Sequence, residues 1–194
     1  MAKRAEATDH TRRRIEAALT TLLGSEPYGA ITVVDIAREA DVAVRTVQRH
    51  YRTKDDLLLD ACLRRTHSAT EQLQDLSAKS AQGLVQSLVR AQFDFYEQHN
   101  TECWALHSRA AEAPKIRDAL HTLIDERTSS LADLVVRWPD AWSVDGSLAA
   151  QTLVALTSYP VWRGFTESGR FSPAEAAAEV TDILCQRLLR SVAS

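Results

Sequence analysis

Helical start and stop signals recur along the chain and limit the fold more than any other feature of the sequence. Apolar residues repeat at helical spacing, as at Ile15, Leu19 and Leu22. Residues that cap helices precede several such segments, at Thr32, Thr53, Asp145 and Ser172. No segment alternates apolar and polar residues for long enough to form a useful strand. The sequence therefore predicts an all-α fold of about nine helices.

The capping signals also predict where the helices lie. Two short helices are expected at Val33–Glu39 and Val44–His50, and a helix built around Ile15 and Leu22 precedes them. Longer helices are expected at about 53–76, 82–99, 101–111, 114–138, 145–165 and 172–189. Pro160 should kink the helix at 145–165, because proline cannot donate a backbone hydrogen bond. Along 82–99, the expected buried stripe is Leu84, Leu88, Ala91 and Phe95.

The two short helices and the tight turn Ala40-Asp41-Val42 between them suggest a helix-turn-helix. Asp41 suits the turn because aspartate tolerates a left-handed backbone better than most residues. In such a unit the second helix lies in the major groove and presents side chains to the base edges. A small core is expected from Leu19, Leu22, Ile36, Ala37, Ala40, Val42 and Val47.

The outward side chains of the second short helix have the chemistry of base readers. Arginine pairs with guanine and glutamine with adenine by paired hydrogen bonds. The predicted DNA contacts on this helix are Val44, Arg45, Thr46, Gln48 and Arg49. Contacts to phosphates are expected from Thr32, His50, Tyr51 and Lys54.

The charge distribution agrees with an N-terminal site for a polyanion. Residues 1–54 carry ten basic and seven acidic side chains, whereas the remaining residues carry 13 basic and 19 acidic ones. The first segment is thus net positive and the rest net negative, although the whole chain has a formal charge of −3. This difference is modest and supports the helix-turn-helix without deciding it.

Residues Ile31 to Leu57 resemble the DNA-binding head of the TetR family of transcriptional regulators. The string IAREADVAVRTVQRHY at 36–51, followed by Lys54 and Leu57, carries the resemblance. Asp41 stands where the family usually has glycine, Ala43 where serine or threonine caps the second helix, and Gln48 where tyrosine is frequent. The resemblance implies a three-helix head followed by a helical body that binds a small ligand and dimerises through its last two helices. It thus predicts a DNA-binding domain at 1–54 and a ligand-binding and dimerisation domain at 55–194.

The last two predicted helices are apolar over more than one face, as a surface for a second copy would be. The expected interface residues are Leu156, Val180, Ile183, Leu184 and Leu188. Packing in an ordinary core would explain the same residues. A helix-turn-helix protein normally needs a twofold mate, because one module makes few base contacts.

Aromatic side chains with polar handles are spread over the body and predict an effector pocket. The candidate lining residues are Phe93, Tyr96, Trp104, His107, Trp138, Tyr159 and Trp162. Since the lining offers rings and few fixed charges, the expected effector is small and largely apolar. For any one of these residues, a place in the core is the stronger explanation.

Neither a metal site nor a catalytic site is predicted. His99, Cys103 and His107 repeat every four residues, as metal ligands on one helix face would, but Asn100 and Thr101 should break that helix. The phosphate-loop, nucleophile-elbow and redox Cys-x-x-Cys motifs are absent from the sequence. We therefore expect no enzyme activity, no cofactor and no metal.

These observations favour a homodimeric repressor that binds a pseudo-palindromic double-stranded operator and is released by a small-molecule effector. Two alternatives stay open: an activator or global regulator without a ligand, and a helical enzyme or adaptor that has lost DNA binding. The sequence has no apolar run long enough to span a membrane and no secretory signal. Its three separated cysteines fit free thiols, so a cytoplasmic location is expected.

Overall fold

The computed structural model describes residues 2–74 and 78–190, with side chains for residues 8–66 and 78–190. This part of the chain is all-α and forms ten α-helices, with no strand among them. The helices are α1 (Ala2–Leu23), α2 (Val33–Glu39), α3 (Val44–His50), α4 (Lys54–Gln74), α5 (Ala81–Gln98), α6 (Asn100–Ala110), α7 (Pro114–Val135), α8 (Gly146–Leu156), α9 (Tyr159–Arg163) and α10 (Pro173–Leu188). The expected end of α4 near Leu76 lies outside the described residues.

The chain divides into two compact units. The first contains Met1–Arg65 and Asn100–Ala119, and the second contains Thr66–His99 and Leu120–Ser194. Helices α4 and α7 each contribute one end to each unit. The first unit contains all of residues 1–54, the expected head, and also α6.

The core of the first unit is built where α1, α2 and α3 meet. Ile15, Leu19, Ile36 and Val47 are almost completely buried there. Ala37 and Ala40 are buried as well, and their small side chains allow the helices to approach closely. Of the core expected from the sequence, only Val42 is partly exposed. Burial of this apolar set holds the two short helices, which would not be stable alone.

In the second unit, α10 packs against α5 and α8, and α5 also packs against α9. Leu84 and Leu88 of α5, Leu153 of α8 and Leu184 of α10 are buried at these contacts. The predicted capping box of α10 is confirmed, with Ser172 and Glu175 bonding each other's backbone amide and Pro173 in the first turn.

The expected kinked helix at 145–165 is wrong, because the chain breaks there into two helices. Helix α8 ends at Leu156, and α9 begins at Tyr159 after Ser158. Pro160 lacks the amide hydrogen, and its ring would clash with the carbonyl one turn earlier, so a new helix starts with the proline in its first turn. This break explains why the structure has one helix more than the expected nine.

The expected stripe on α5 is wrong in its second half. Leu84 and Leu88 are buried, but Ala91 is exposed and Phe95 is only half-buried. Phe93 and Tyr96 are buried instead. The buried face is broad, since Val85 and Val89 also lie on it, and four apolar residues at ideal spacing could not locate its centre.

Candidate nucleic-acid interface

The helix-turn-helix is fixed at its two turning points by local chemistry. At the start of α2, the Thr32 hydroxyl accepts a bond from the Asp35 amide at 3.2 Å, and the Asp35 carboxylate accepts one from the Thr32 amide at 3.0 Å. Between α2 and α3, Asp41 adopts a left-handed backbone with φ of 50°. Both features confirm what the sequence predicts for these positions.

A side chain from α1 holds the turn in place. The Arg14 guanidinium donates to the carbonyls of Ala40 and Asp41, at 2.7 Å and 2.9 Å, and to the Asp41 carboxylate at 3.2 Å. These carbonyls at the end of α2 would otherwise lack a partner from the helix. Sequence reasoning missed this contact, because Arg14 lies among three consecutive arginines and nothing local distinguishes it.

Helix α3 presents a polar face to solvent. Arg45, Gln48 and Arg49 are exposed and, with Thr46 and Ala43, line a shallow open concavity. The three long side chains make no hydrogen bond to other side chains in the described part of the protein. Ala43 begins the helix without a side-chain cap, as its residue type predicts. The face is therefore unoccupied by intramolecular contacts, with donors suited to base edges.

Among residues 8–66, the arginines on and just after α3 are the ones without an ion pair, because the others pair with acids. The pairs join Arg12 to Asp60, Arg13 to Asp9, Arg14 to Asp41, Arg38 to Asp35, Arg64 to Glu16 and Asp60, and Arg65 to Glu102. Arg45, Arg49 and Arg52 form no ion pair with the described side chains. Within residues 8–66, the uncompensated arginine charge thus lies on α3 and just after it, and such a cluster attracts a polyanion.

Two of the predicted phosphate contacts have other roles in the structure. Tyr51 is buried, and its hydroxyl donates to Glu16 at 2.6 Å and accepts from Arg12 at 3.2 Å. Lys54 is half-buried, and its ammonium donates to the carbonyls of Tyr28 and Ile31, at 2.5 Å and 2.6 Å. Both side chains hold the first unit together rather than extend from it.

The remaining predicted contacts lie at or near the surface. Thr32 is exposed, whereas Val44, Thr46 and His50 are half-exposed. Burial, followed by the nearby charges of Arg49 and Arg12, lowers the pKa of His50. In the protein without DNA, this shift favours the neutral form of His50.

A comparison with known families decides what this unit is. Residues 15–61 match the bacterial regulatory proteins of the tetR family. This segment is a DNA-binding domain of the TetR type. The matched segment runs from the end of α1 through α2 and α3 into α4, and so contains the whole helix-turn-helix. The resemblance inferred from residues 31–57 is confirmed.

Solved structures extend the likeness of fold over almost the whole chain. A candidate transcriptional regulator of Saccharomonospora viridis, solved in complex with choline, is 20% identical, with a TM-score of 0.78 over 94% of this chain and 100% of that one. NalD of Pseudomonas aeruginosa, the secondary repressor of the MexAB-OprM multidrug efflux pump, is 18% identical, with a TM-score of 0.74 over 96% and 100%.

A third structure, a regulatory protein of the tetR family from Rhodococcus RHA1, is 21% identical, with a TM-score of 0.71 over 94% of this chain and 98% of that one. No curated protein matches the sequence significantly. At such low identity these structures establish the fold, an all-α head and body of the TetR type.

The predicted pocket residues fall into both units. Tyr96, Tyr159 and Trp162 lie together in the second unit, with ring centroids 5.4–6.0 Å apart. Phe93 is buried in the same unit, and Trp138 there is half-buried. Trp104 and His107 belong to the first unit, where Trp104 is 50% exposed. The rings brought together are therefore those of α5 and α9.

His107 and the nearby cysteines show no sign of a metal site. His107 Nδ1 donates to the Cys103 carbonyl at 2.9 Å, and burial lowers its pKa. Burial also raises the pKa of the Cys62 thiol to about 12, so that it stays protonated and unreactive at pH 7. The described residues contain no group of three or more side chains that could hold a metal ion.

Three predicted interface residues are covered by the protomer itself. Val180, Leu184 and Leu188 are at most 1% exposed, because they face the core of the second unit. They are corrected to core residues, since a buried side chain offers no surface to a second copy. Ile183, on another face of α10, is 39% exposed, and Leu156 is half-exposed.

Among the described residues, no helix of the chain is long and apolar enough to cross a membrane.

Proposed function

We propose that this TetR-family regulator is a homodimer that binds a pseudo-palindromic double-stranded DNA operator through α3. The unpaired set Arg45, Gln48 and Arg49 on one exposed face carries the proposal. Arg45 and Arg49 supply guanine readers, and Gln48 supplies an adenine reader. Arg52 and the exposed first turn of α2 at Thr32 supply backbone contacts.

A second copy supplies the second half-site. A single α3 of seven residues reaches only a few base pairs, too few for useful specificity. Twofold pairing places two copies of α3 in successive major grooves, one helical turn apart. Ile183 and Leu156 are the predicted interface residues that the protomer leaves accessible, and Leu148 adds an exposed apolar side chain on α8.

The protein acts as a repressor by occupying its operator and excluding polymerase. A small effector bound in the body shifts the population of dimers towards a state whose two heads are wrongly spaced for successive grooves. The existence of a NalD repressor and of a choline complex among proteins of this fold is consistent with such a body. Regulators of this family are in general not enzymes. The proposed regulator accordingly has no catalytic activity and no cofactor. It binds its DNA in the cytoplasm.

Selection of bound sequences from a random DNA pool tests the DNA-binding part of the proposal. The expected result is an enriched inverted repeat whose half-sites are centred one helical turn apart. A single unrepeated motif would contradict the dimer, and no enrichment over the input pool would contradict operator recognition. If the protein is instead a helical adaptor that has lost DNA binding, it will also fail to bind random DNA at low salt.

A further inference from the structure

The second unit buries a guanidinium that no described acidic side chain neutralises. Arg127 lies on α7 and is 8% exposed. Its one hydrogen bond to the described residues is donated to Thr157 Oγ1, at 3.1 Å. No described carboxylate lies within ion-pair distance of it. A buried arginine is normally paired with an acid, because an isolated buried charge is costly.

Thr157 cannot supply the missing negative charge. Its hydroxyl donates to the Leu153 carbonyl at 2.6 Å, so it offers Arg127 only a neutral acceptor. Its own carbonyl accepts a bond from the Tyr96 hydroxyl at 3.2 Å. A guanidinium has five N–H donors, and Thr157 satisfies one of them. The other donors of Arg127 have no acceptor among the described residues, and they keep some contact with solvent.

A buried donor without an acceptor lies in the same unit. Trp162 is 4% exposed, and its Nε1 has no hydrogen-bond partner among the described residues. Its ring lies 6.0 Å from the ring of Tyr96, the same side chain that bonds Thr157. Buried donors nearly always find an acceptor in a folded protein. The unpaired charge of Arg127 and the unsatisfied N–H of Trp162, linked through Thr157 and Tyr96, indicate a place where an acceptor-bearing ligand binds.

We infer that the second unit binds an apolar organic anion, whose carboxylate pairs with Arg127 and accepts a bond from Trp162. A carboxylate matches the planar fork of arginine with two parallel bonds and supplies the missing charge. The hydrocarbon part lies against the rings of Tyr96 and Tyr159, whose centroids are 5.4 Å apart. This anion is the effector of the regulator, a statement that rests on the proposed function, whereas the binding site itself does not.

The charge on Arg127 decides against a cationic ligand. The clustered rings of Tyr96, Tyr159 and Trp162 would attract a cation through their faces. Arg127 is connected to the same cluster by hydrogen bonds through Thr157. Its positive charge repels a cationic ligand. A carboxylate satisfies both the charge and the donors, whereas a quaternary ammonium satisfies neither.

Three probes with one hydrocarbon chain and different head groups test the inference: octanoate, octanol and octyltrimethylammonium. Each is titrated calorimetrically into the full-length protein without DNA. Octanoate is expected to bind wild type about tenfold more tightly than octanol, and Arg127→Gln should remove that advantage. Arg127→Lys should recover part of it, because lysine keeps the charge but loses the fork. Trp162→Phe keeps the ring and removes the N–H, so it should weaken octanoate binding and leave octanol unchanged.

Thermal unfolding of the unliganded variants separates a ligand contact from a structural support. Without a ligand, the charge of Arg127 is uncompensated, so Arg127→Gln should keep or raise the melting temperature. A marked fall would indicate that Arg127 serves to hold the end of α8, and would overturn the inference.

The inference is also overturned if octanoate binds no better than octanol, if the trimethylammonium probe binds best, or if Arg127→Gln binds octanoate as wild type does. Operator release is measured separately with the same probes. If octanoate binds through Arg127 but does not release DNA, the inferred binding site stands and ligand-responsive repression is refuted. Release by the cationic probe alone refutes this inference and leaves the proposed function standing.

Discussion

Basic side chains of the first unit share a charge but have different tasks, and their partners distinguish them. Arg45 and Arg49 extend from α3 without an ion pair to any described residue. Arg14 and Lys54 bond backbone carbonyls that lie far away in sequence. The sequence could not separate these cases, because the carbonyl acceptors come near the side chains only after folding.

Replacement of Lys54 should affect folding more than DNA binding. Lys54→Ala and Lys54→Met both remove two charge-assisted bonds to the carbonyls of Tyr28 and Ile31. Each is expected to lower the free energy of unfolding by about 1–3 kcal/mol, measured by urea denaturation. Lys54→Met keeps the methylene contacts and should be the milder change. Unchanged stability, with a salt slope of DNA binding reduced by about one, would instead restore the phosphate role expected from the sequence.

The turn residue Asp41 allows a matched comparison at one position. Its backbone is left-handed, a conformation that glycine adopts without strain and alanine does not. Asp41→Gly and Asp41→Ala both lose the carboxylate contact to Arg14, so that loss cancels between them. Asp41→Gly should be more stable than Asp41→Ala by about 1 kcal/mol. Equal stabilities in chemical denaturation would show that the turn relaxes in solution.

At the scale of helices, boundaries were predictable wherever a capping residue marks them. Both ends of α2 and α3 fall at the expected residues, because Thr32 and the Asp41 turn are local signals. The break before Pro160 and the true buried face of α5 were not predictable, since each depends on what packs nearby. The burial of Arg127 could have been predicted, because it lies four residues from both Leu123 and Leu131 and so on the apolar face of α7.

The capping box of α2 should make that helix sensitive to acid. Hydrogen bonds from the Thr32 side chain and backbone, and then the charge of Arg38, lower the pKa of Asp35. Because its pKa is lower in the folded than in the unfolded state, Asp35 stabilises the fold above its ordinary pKa. This contribution is lost as the pH falls through the lowered value.

An NMR titration of the Asp35 carboxyl carbon tests this capping box. Thr32→Val removes the hydroxyl and keeps the side-chain shape, so it should raise the pKa of Asp35 towards its ordinary value. Arg38→Gln should produce a smaller rise, because the Arg38 charge is a lesser cause of the shift. Identical titration curves for wild type and Thr32→Val would mean that the capping box does not form in solution.

For the whole molecule, the family and the all-α fold follow from local signals and could be predicted. The dimer interface could not, because the same apolar pattern on α10 describes its core face and any exposed face. Leu184 and Ile183 are neighbours in sequence, yet one is buried and the other is exposed. The pocket residues posed the same difficulty, since aromatic residues of a core and of a cavity look alike in sequence.

A charge at Ile183 should yield folded monomers. Ile183→Glu places an unpaired carboxylate in the proposed interface. Burying this charge should weaken dimer association by roughly 3–5 kcal/mol. Ile124→Glu is the matched control, since Ile124 is also an exposed isoleucine but lies on α7. Sedimentation should show monomers for Ile183→Glu and dimers for the control. A dimer in both would place the interface on another face, and Leu184→Glu should instead unfold the second unit.

The most direct test of the reading face on α3 is the operator affinity of the Arg45→Ala, Gln48→Ala double variant. The enriched duplex is titrated by fluorescence anisotropy, with Arg90→Ala, an exposed arginine of the second unit, as the control. Each reading residue is expected to contribute about 1–3 kcal/mol, so the double variant should lose most discrimination between the operator and scrambled DNA. Arg90→Ala should bind as wild type does. Wild-type operator affinity in the double variant would contradict the account, because base recognition would then lie outside α3.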